Sequence, residues 1–491
     1  MKKPNIIFIL ADQWRGDCLG VNGHPVVRTP NLDAMAARGG VSFDRAYSTC
    51  PSCIAARASI FTGLTPYSQG RIGYEDGVPW NYDDMLAQML ADDGYQTHCV
   101  GKTHFYPQGA SCGFQSQNSY EELRAHDAGY VNEYEQWLEK ESDGTFREID
   151  NGLDFNSWVA RPSVLPEKWH LNYWTVSKSV DFLEGRDKNK PFFLNVSFAR
   201  PHPPFDPPQA YYDMFQGVEL PPVPVGEWSA YTDHPMDSIN GPHGVLPPDV
   251  LDHTRRAYYA QIAHIDNQIG RLQMHLRRLG IRDTWFVFTS DHGEMLGDHN
   301  RFRKMYALEG SARIPFIIKP PGDCERGALH RDQPVAIEDT YSTILDIAGI
   351  PVPSKTEGRS LLPFLTGEPE EWRDVVHGEH SGWGTGRQFM TDGRTKYIWK
   401  TKTGKEHLFD LVNDPQELQD LSDKPEGQEW LNVWRDRMIA HLEPRCDGMS
   451  DGEKLIPLTG EDPAIMPWAE TGIFSYNNKK NRMQENHEKL I

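Results

Sequence analysis

Five short runs rich in β-branched and aromatic residues, at positions 5–11, 95–101, 192–198, 284–289 and 314–319, limit this chain to a small set of architectures. Each suits a strand in a sheet that is covered on both faces. The segments between them carry helical periodicity. The clearest spans about 248–280, where Tyr258, Ile262, Ile265, Ile269, Leu272 and Leu276 recur at spacings of four and three. They make one apolar stripe, and Gly280 supplies its stop signal. Strand and helix signals alternating in this way predict an α/β fold with a large, doubly wound, mostly parallel sheet.

With 491 residues the chain can bury a large core, and two unequal domains are expected, 1–370 and 371–491. After about residue 370 the pattern changes to short alternating strands near 375–379, 388–391 and 396–400, then a helix around 429–441. This predicts a smaller α+β domain with an antiparallel sheet. The tail from about Arg445 has few periodic apolar positions and is expected to wrap over the surface or towards the mouth of the site. The Pro-rich stretch 201–248 breaks regular structure and is expected to form a long loop across the mouth of the sheet. There is no internal repeat and no low-complexity segment.

Acidic side chains outnumber basic ones by 70 to 50, a net charge of −20, which argues against non-specific nucleic-acid binding, because that requires basic surface to displace counterions. Seven cysteines, an odd number at scattered spacings, do not read as a disulfide framework and fit free thiols in a reducing compartment. Residues 1–11 superficially imitate a signal peptide, but the apolar stretch is short and runs into Asp12, so it reads as the first buried strand. No other segment approaches the apolar length of a membrane span. The expectation is a cytoplasmic protein with no membrane and no nucleic-acid partner. The sequon Asn195-Val196-Ser197 falls inside a predicted buried strand and is expected to carry no glycan.

Cys50-Pro51-Ser52-Cys53 can be a redox pair, half of a zinc site, or two small buried residues. No second C-x-x-C accompanies it. Residues 56–61 should open a helix, which sets residue 53 at its positive end, where a developing oxyanion is stabilised. Asp12-Gln13 and Asp291-His292 each follow a predicted strand directly, at the carboxyl ends where open α/β sheets bind ligands. Taken singly, such an aspartate is more often a turn or cap residue. Gly101-Lys102-Thr103-His104 and Arg200-Pro201-His202 stand at two further strand ends, where a lone histidine is more often a structural hydrogen-bonder.

The frame Cys53-Ile54-Ala55-Ala56-Arg57, followed by Thr62-Gly63, resembles the signature of type I sulfatases of the alkaline phosphatase superfamily. A frame beginning at Cys50 fails, since Ile54 stands where the arginine is needed. The resemblance covers about residues 4–445, with its motifs in family order. It implies that a formylglycine-generating maturase oxidises Cys53 to formylglycine, whose hydrate attacks the sulfate ester of a small molecule or glycan. It also implies one divalent cation on Asp12, Gln13, Asp291 and His292. Gln13 departs from the usual Asp-Asp opening but keeps a carbonyl oxygen. The oxygen-rich set favours Ca²⁺ and leaves Mg²⁺ and Mn²⁺ open.

The catalytic set implied by the resemblance is Cys53, Arg57, Lys102, His104, His202 and Lys304. Arg57 and Lys102 would hold the nucleophile, and Lys102 and Lys304 would stabilise charge on the sulfuryl oxygens. His202, helped by Lys304, would serve the leaving alcohol, and His104 would take the proton whose loss expels sulfate. In so acidic a chain, an anionic substrate has to be met by this local positive cluster.

Two other readings compete. Phosphonate monoester and phosphodiester hydrolases of the same superfamily share a similar opening, here Asp12-Gln13-Trp14-Arg15, but tend to lack the lysine and histidine found at 102 and 104. An anion-binding protein never matured at Cys53 is the third, and the full catalytic set argues against it. Candidate substrate-contacting segments are 69–80, the loop around 231–243, and His380-Ser381-Gly382-Trp383, whose aromatic and polar content suits a sugar or an aryl group equally.

Overall fold

The computed structural model describes residues 3–122, 129–230, 234–324, 327–367, 369, 371–382, 384, 386–460 and 462–471. At its centre is an eight-stranded sheet in the order Leu329–Arg331, Val41–Phe43, Phe316–Lys319, Thr284–Ser290, Asn5–Asp12, Phe192–Pro201, Gln96–Lys102 and Ser116–Tyr120. All strands but Phe316–Lys319 run in one direction. Side chains alternate across the sheet as a period of two requires. Ile7, Ile9 and Ala11 of the central strand enter one core, under the helices Leu171–Gly185 and Pro248–Arg278. Ile6, Phe8 and Leu10 enter the other, under Cys53–Thr62, Leu86–Asp92 and Asp339–Ala348. The expected doubly wound α/β architecture is present.

The departures have local causes. The run at 314–319 is divided at Pro315, which has no N–H to give to a ladder. Arg313–Ile314 joins a small sheet with Ala46–Tyr47 and Val335–Ala336, and Phe316–Lys319 enters the large sheet antiparallel to both neighbours. Three strands of the large sheet were not expected. Val41–Phe43 and Leu329–Arg331 are three residues each, and Ser116–Tyr120 is an edge strand of sequence SQNSY with no apolar run.

The second sheet is antiparallel, in the order Val376–His380, Arg387–Thr391, Thr395–Lys400 and Glu406–Asp410. Its last strand was not expected. Met390, Tyr397, Trp399 and Leu408 lie beneath the helix Gln428–Leu442. Phe389, Ile398 and Phe409 face the other way and pack with Tyr47, Leu308 and Ala312 of the large unit. The chain after Arg445 turns back onto the segment near Gly70, where Met466 N donates to Gly70 O at 2.7 Å and Trp468 packs against Tyr67 at 5.1 Å. The described residues of the Pro-rich stretch are irregular apart from short helical turns such as Gln209–Asp213. Tyr231, Trp383 and the tail beyond 471 lie outside the described residues.

Asn195 is buried in a strand paired on both sides. No cysteine is in a disulfide among the described residues. Among those residues no helix is long and apolar enough to cross a membrane.

One glycine fixes how Lys102 leaves the sheet. Gly101 has φ +100, and a Cβ there would stand 1.9 Å from the carbonyl oxygen of its neighbour Ser197. Gly101→Ala is expected to destabilise the protein by about 2–5 kcal/mol, combining overpacking with a left-handed backbone at a substituted residue. Urea unfolding checks this, and a midpoint equal to that of the parent protein would refute it.

Candidate active site

Parallel strands bring their carboxyl ends together along one edge of the sheet. Asn5–Asp12 lies between Thr284–Ser290 and Phe192–Pro201, so Asp12, the Asp291-His292 pair and the His202 turn start as neighbours. A register shift between Ala11 and Asp12 brings Asp12 opposite Pro201, and His202 N donates to Asp12 O at 3.0 Å. Lys102 ends the next strand, Gln96–Lys102.

The helix Cys53–Thr62 is buried along its whole length. Extended Ser52 begins it, and left-handed Gly63 ends it by donating N–H to Ser59 O at 2.9 Å. Cys53 is its first residue, and Arg57, four residues on, shares its face. Arg57 Nε donates to Asp291 Oδ2 at 3.0 Å, and its terminal nitrogens donate to Lys102 O at 2.7 Å, Ser197 Oγ at 3.0 Å and Asp12 Oδ2 at 3.3 Å. Lys102 Nζ bridges Asp12 Oδ2 at 2.6 Å and Glu122 Oε1 at 2.8 Å. Cys53 Sγ lies 2.9 Å from Lys304 Nζ, 3.2 Å from His292 Nε2 and 3.8 Å from Asp12 Oδ1.

Electrostatics follow from this packing. Burial alone would raise the Asp12 pKa, but Lys102, His202, Lys304 and Arg57 outweigh it and hold the carboxyl well below the usual range. Burial pushes the Cys53 thiol up to about 12, assisted by Asp12 and opposed by Lys304 and Lys102. Burial, followed by Lys304 and Lys102, holds His202 well below an ordinary histidine. Burial would depress Lys102, yet Asp12 and Glu122 raise it, so the ammonium is charged.

Asp12, Cys53, Asp291 and His292 each direct a donor atom into one space, all within 4.8 Å of one another. His292 Nδ1 is 2.9 Å from Gly293 O, which places the ring proton there and leaves the Nε2 lone pair facing the cluster. Two carboxylates and one imidazole suit a hard divalent cation. Cys50, by contrast, is not part of the cluster. The Gln13 side chain turns aside from it: its amide nitrogen donates to Glu294 Oε2, and its oxygen accepts from Lys304 Nζ at 3.0 Å. Gln13 reaches the cluster through its backbone N–H, which donates to Asp291 Oδ1 at 3.1 Å.

His104 stands in the turn after Lys102, its backbone N–H donating to Glu121 Oε1 at 2.8 Å and its ring edge-on to Tyr74 at 6.4 Å. Arg200 forms a buried fork with Asp206 at 2.9 and 3.2 Å, which fixes the loop carrying His202. Sequence reasoning missed Glu121 and Glu122. Both follow the polar edge strand Ser116–Tyr120, so the rule that pointed to Asp12 could not be applied to them. Glu294 was in view in the run after Asp291, but nothing in its spacing assigned it to Gln13.

The profile of the family described as Sulfatase matches residues 4–350, and that of N-sulphoglucosamine sulphohydrolase, C-terminal, matches 297–443. An arylsulfatase of Clostridium perfringens is 42% identical over 469 residues, covering 92% of this chain and 97% of its own. A choline-sulfatase of Rhizobium meliloti is 30% identical over 470 residues, covering 90% and 87%. The crystal structure of phosphonate monoester hydrolase of Agrobacterium radiobacter superposes with a TM-score of 0.76 at 27% identity, covering 89% of this chain and 95% of that one.

A buried thiol of raised pKa is not itself a nucleophile at neutral pH. In metal-free, unconverted protein, iodoacetamide is expected to label Cys53 at pH 8 at least about a hundredfold more slowly than in the urea-unfolded chain. Peptide mass analysis over time measures the rate, and labelling as fast as in the unfolded chain would contradict the electrostatics above.

Proposed function

Since the chain belongs to the sulfatase family and is a sulfuric ester hydrolase, we propose that it cleaves an aryl or carbohydrate sulfate monoester using formylglycine made from Cys53. The observation that carries this reading is the position of Cys53 Sγ. It stands at the start of a buried helix, 2.9 Å from Lys304 Nζ and beside the Asp12, Asp291 and His292 donors, where the oxygens of an aldehyde hydrate would stand. Matured by a formylglycine-generating enzyme, that position supplies a geminal diol, one hydroxyl to attack sulfur and the other to lose its proton as sulfate departs. Asp12, Asp291 and His292 would hold the divalent cation, Ca²⁺ first and Mg²⁺ or Mn²⁺ next, with Gln13 at its margin, and the bound ion would supply Lewis acidity.

The remaining chemistry belongs to the side chains. Arg57 fixes Asp12 and Asp291 and so aims their oxygens. Lys102 and Lys304 supply positive charge for the sulfuryl oxygens. His202 Nδ1 lies 2.8 Å from Pro203 O and 3.2 Å from Glu122 Oε1, both acceptors, so the neutral ring carries its proton on Nδ1. Donation from Nε2 to a leaving alcohol then calls for the doubly protonated ring, which Glu122 and an anionic substrate would both favour. Glu122 is thereby a positioning residue for His202. His104, anchored through Glu121, takes the proton released as sulfate leaves.

Hydrolysis of a phosphonate monoester is the second reading, favoured by the opening Asp12-Gln13-Trp14-Arg15 and by the fold shared with the Agrobacterium radiobacter enzyme. Co-expression with a formylglycine-generating maturase should yield an aldehyde in the peptide spanning residue 53, and that protein should turn over para-nitrophenyl sulfate or a sulfated monosaccharide faster than a phenylphosphonate monoester. Activity from protein whose residue 53 is wholly thiol would reject the mechanism, and faster phosphonate turnover would favour the second reading.

Protonation matters little when the leaving group is good. His202→Ala is therefore expected to lose at least about tenfold more activity on a sulfated sugar than on para-nitrophenyl sulfate. Equal losses on the two substrates, measured as kcat/KM, would remove His202 from the leaving-group role.

A further inference from the structure

The face of the second sheet turned towards the large unit carries a row of basic side chains that the chemistry above does not use. His380 pairs directly with Arg387, and Arg387 with Lys400, in antiparallel register. Neighbouring strands lie about 4.8 Å apart, so the row spans about 10 Å. Arg387 and Lys400 are like charges set opposite one another, an arrangement that destabilises an antiparallel pair.

Arg301 joins them from the large unit. Its guanidinium lies 5.2 Å from the ring centroid of Trp228 and 5.6 Å from that of Tyr306, and Arg387 lies 5.2 Å from the same Tyr306 ring. Cation–π contacts thus hold both guanidiniums towards a cavity of about 250 Å³. Among the described residues, Asp420 and Asp462 border the row. Asp420 accepts from His407 Nδ1 at 2.6 Å and from Leu408 N at 3.1 Å, and Asp462 accepts from Gly386 N at 2.7 Å. The ammonium of Lys400 is pushed down to about 8, first by burial and then by Arg387, Lys405 and Arg301, as expected where positive charges crowd.

The row leads to the reaction centre. Tyr306 stands two residues after Lys304, whose Nζ touches Cys53 Sγ. Buried His380, at the inner end, is within electrostatic range of both Arg387 and His292. We propose that Arg301, Arg387 and Lys400 form a second anion subsite for a sulfate or carboxylate group that the substrate carries besides the ester being cleaved. The preferred substrate is then a multiply charged glycan, not a simple aryl sulfate. This rests on the sulfatase reading for the reacting end and on sheet register for the distal end.

The test is calorimetric binding to Cys53→Ala protein of a monosulfated disaccharide, its disulfated form, and a form with one sulfate and one uronic carboxylate. Either doubly charged ligand should bind at least about tenfold more tightly than the monosulfated one, as one added charge-assisted contact implies. Whichever gains more identifies the distal group. The gain should vanish when Arg387→Gln or Lys400→Gln is added. Each of these variants should keep or raise the Tm of the unliganded protein, because a like-charge pair is relieved, whereas a purely structural role would lower it. In matured enzyme each should keep kcat/KM for para-nitrophenyl sulfate within about twofold. If the sulfatase reading fails, no sulfate ester is turned over while charge-dependent binding persists. Equal affinity for singly and doubly charged ligands, or a gain untouched by both substitutions, overturns the subsite.

Discussion

The guanidinium of Arg57 is the interaction on which the rest of the active edge depends. It is fully buried, and it ties the helix Cys53–Thr62 to three strands, through Asp12, the Lys102 carbonyl and Ser197, and to the turn after a fourth, through Asp291. Taking such a charge out of water is costly, and only a fully satisfied fork compensates for it. Removing one partner from a buried pair costs about 3–5 kcal/mol, so the carboxylates and the arginine hold each other in register. A lysine could not replace it, because one ammonium cannot reach acceptors on three elements within one plane.

From that anchor the charge balance of the site follows. Within the set in direct contact, Asp12, Asp291 and Glu122 stand against Arg57, Lys102 and Lys304, so their formal charges cancel. A divalent cation at the Asp12, Asp291 and His292 donors would therefore leave that set net positive. An anionic ester is attracted to such a centre even though the chain as a whole carries −20. The field is local because the groups that make it are buried, where salt screens them little.

The second sheet contributes through its two faces. One is apolar and clamps the helix Gln428–Leu442, so its residues are those of a core. The other begins as core at Phe389, Ile398 and Phe409 and becomes basic towards Arg387 and Lys400, two residues along the same strands. Alternation by two makes this possible: the positions that anchor the sheet and those that line the cavity belong to the same face. Arg301 and Tyr306 lie on the chain that brackets Lys304, so the wall of this cavity and the reaction centre are built from one loop.

Much of this was legible in the residues themselves. Apolar runs fixed the central strands, the four-and-three spacing fixed the long helix ended by Gly280, and the Cys53–Arg57 frame marked the start of the helix Cys53–Thr62. Asp12, Lys102, His202 and Asp291 were legible because each follows an apolar strand, and parallel strands must gather their carboxyl ends on one edge. Three-dimensional packing alone decided the rest. Glu122 follows an edge strand too polar to be seen, Gln13 was turned towards Glu294 and Lys304 by neighbours distant in sequence, and Pro315 split one expected strand between two sheets. Arg387 and Lys400 are unremarkable in sequence and became a charged pair only through strand register. A strand's own pattern specifies which face each side chain takes, but which strand lies beside it is a property of the whole chain.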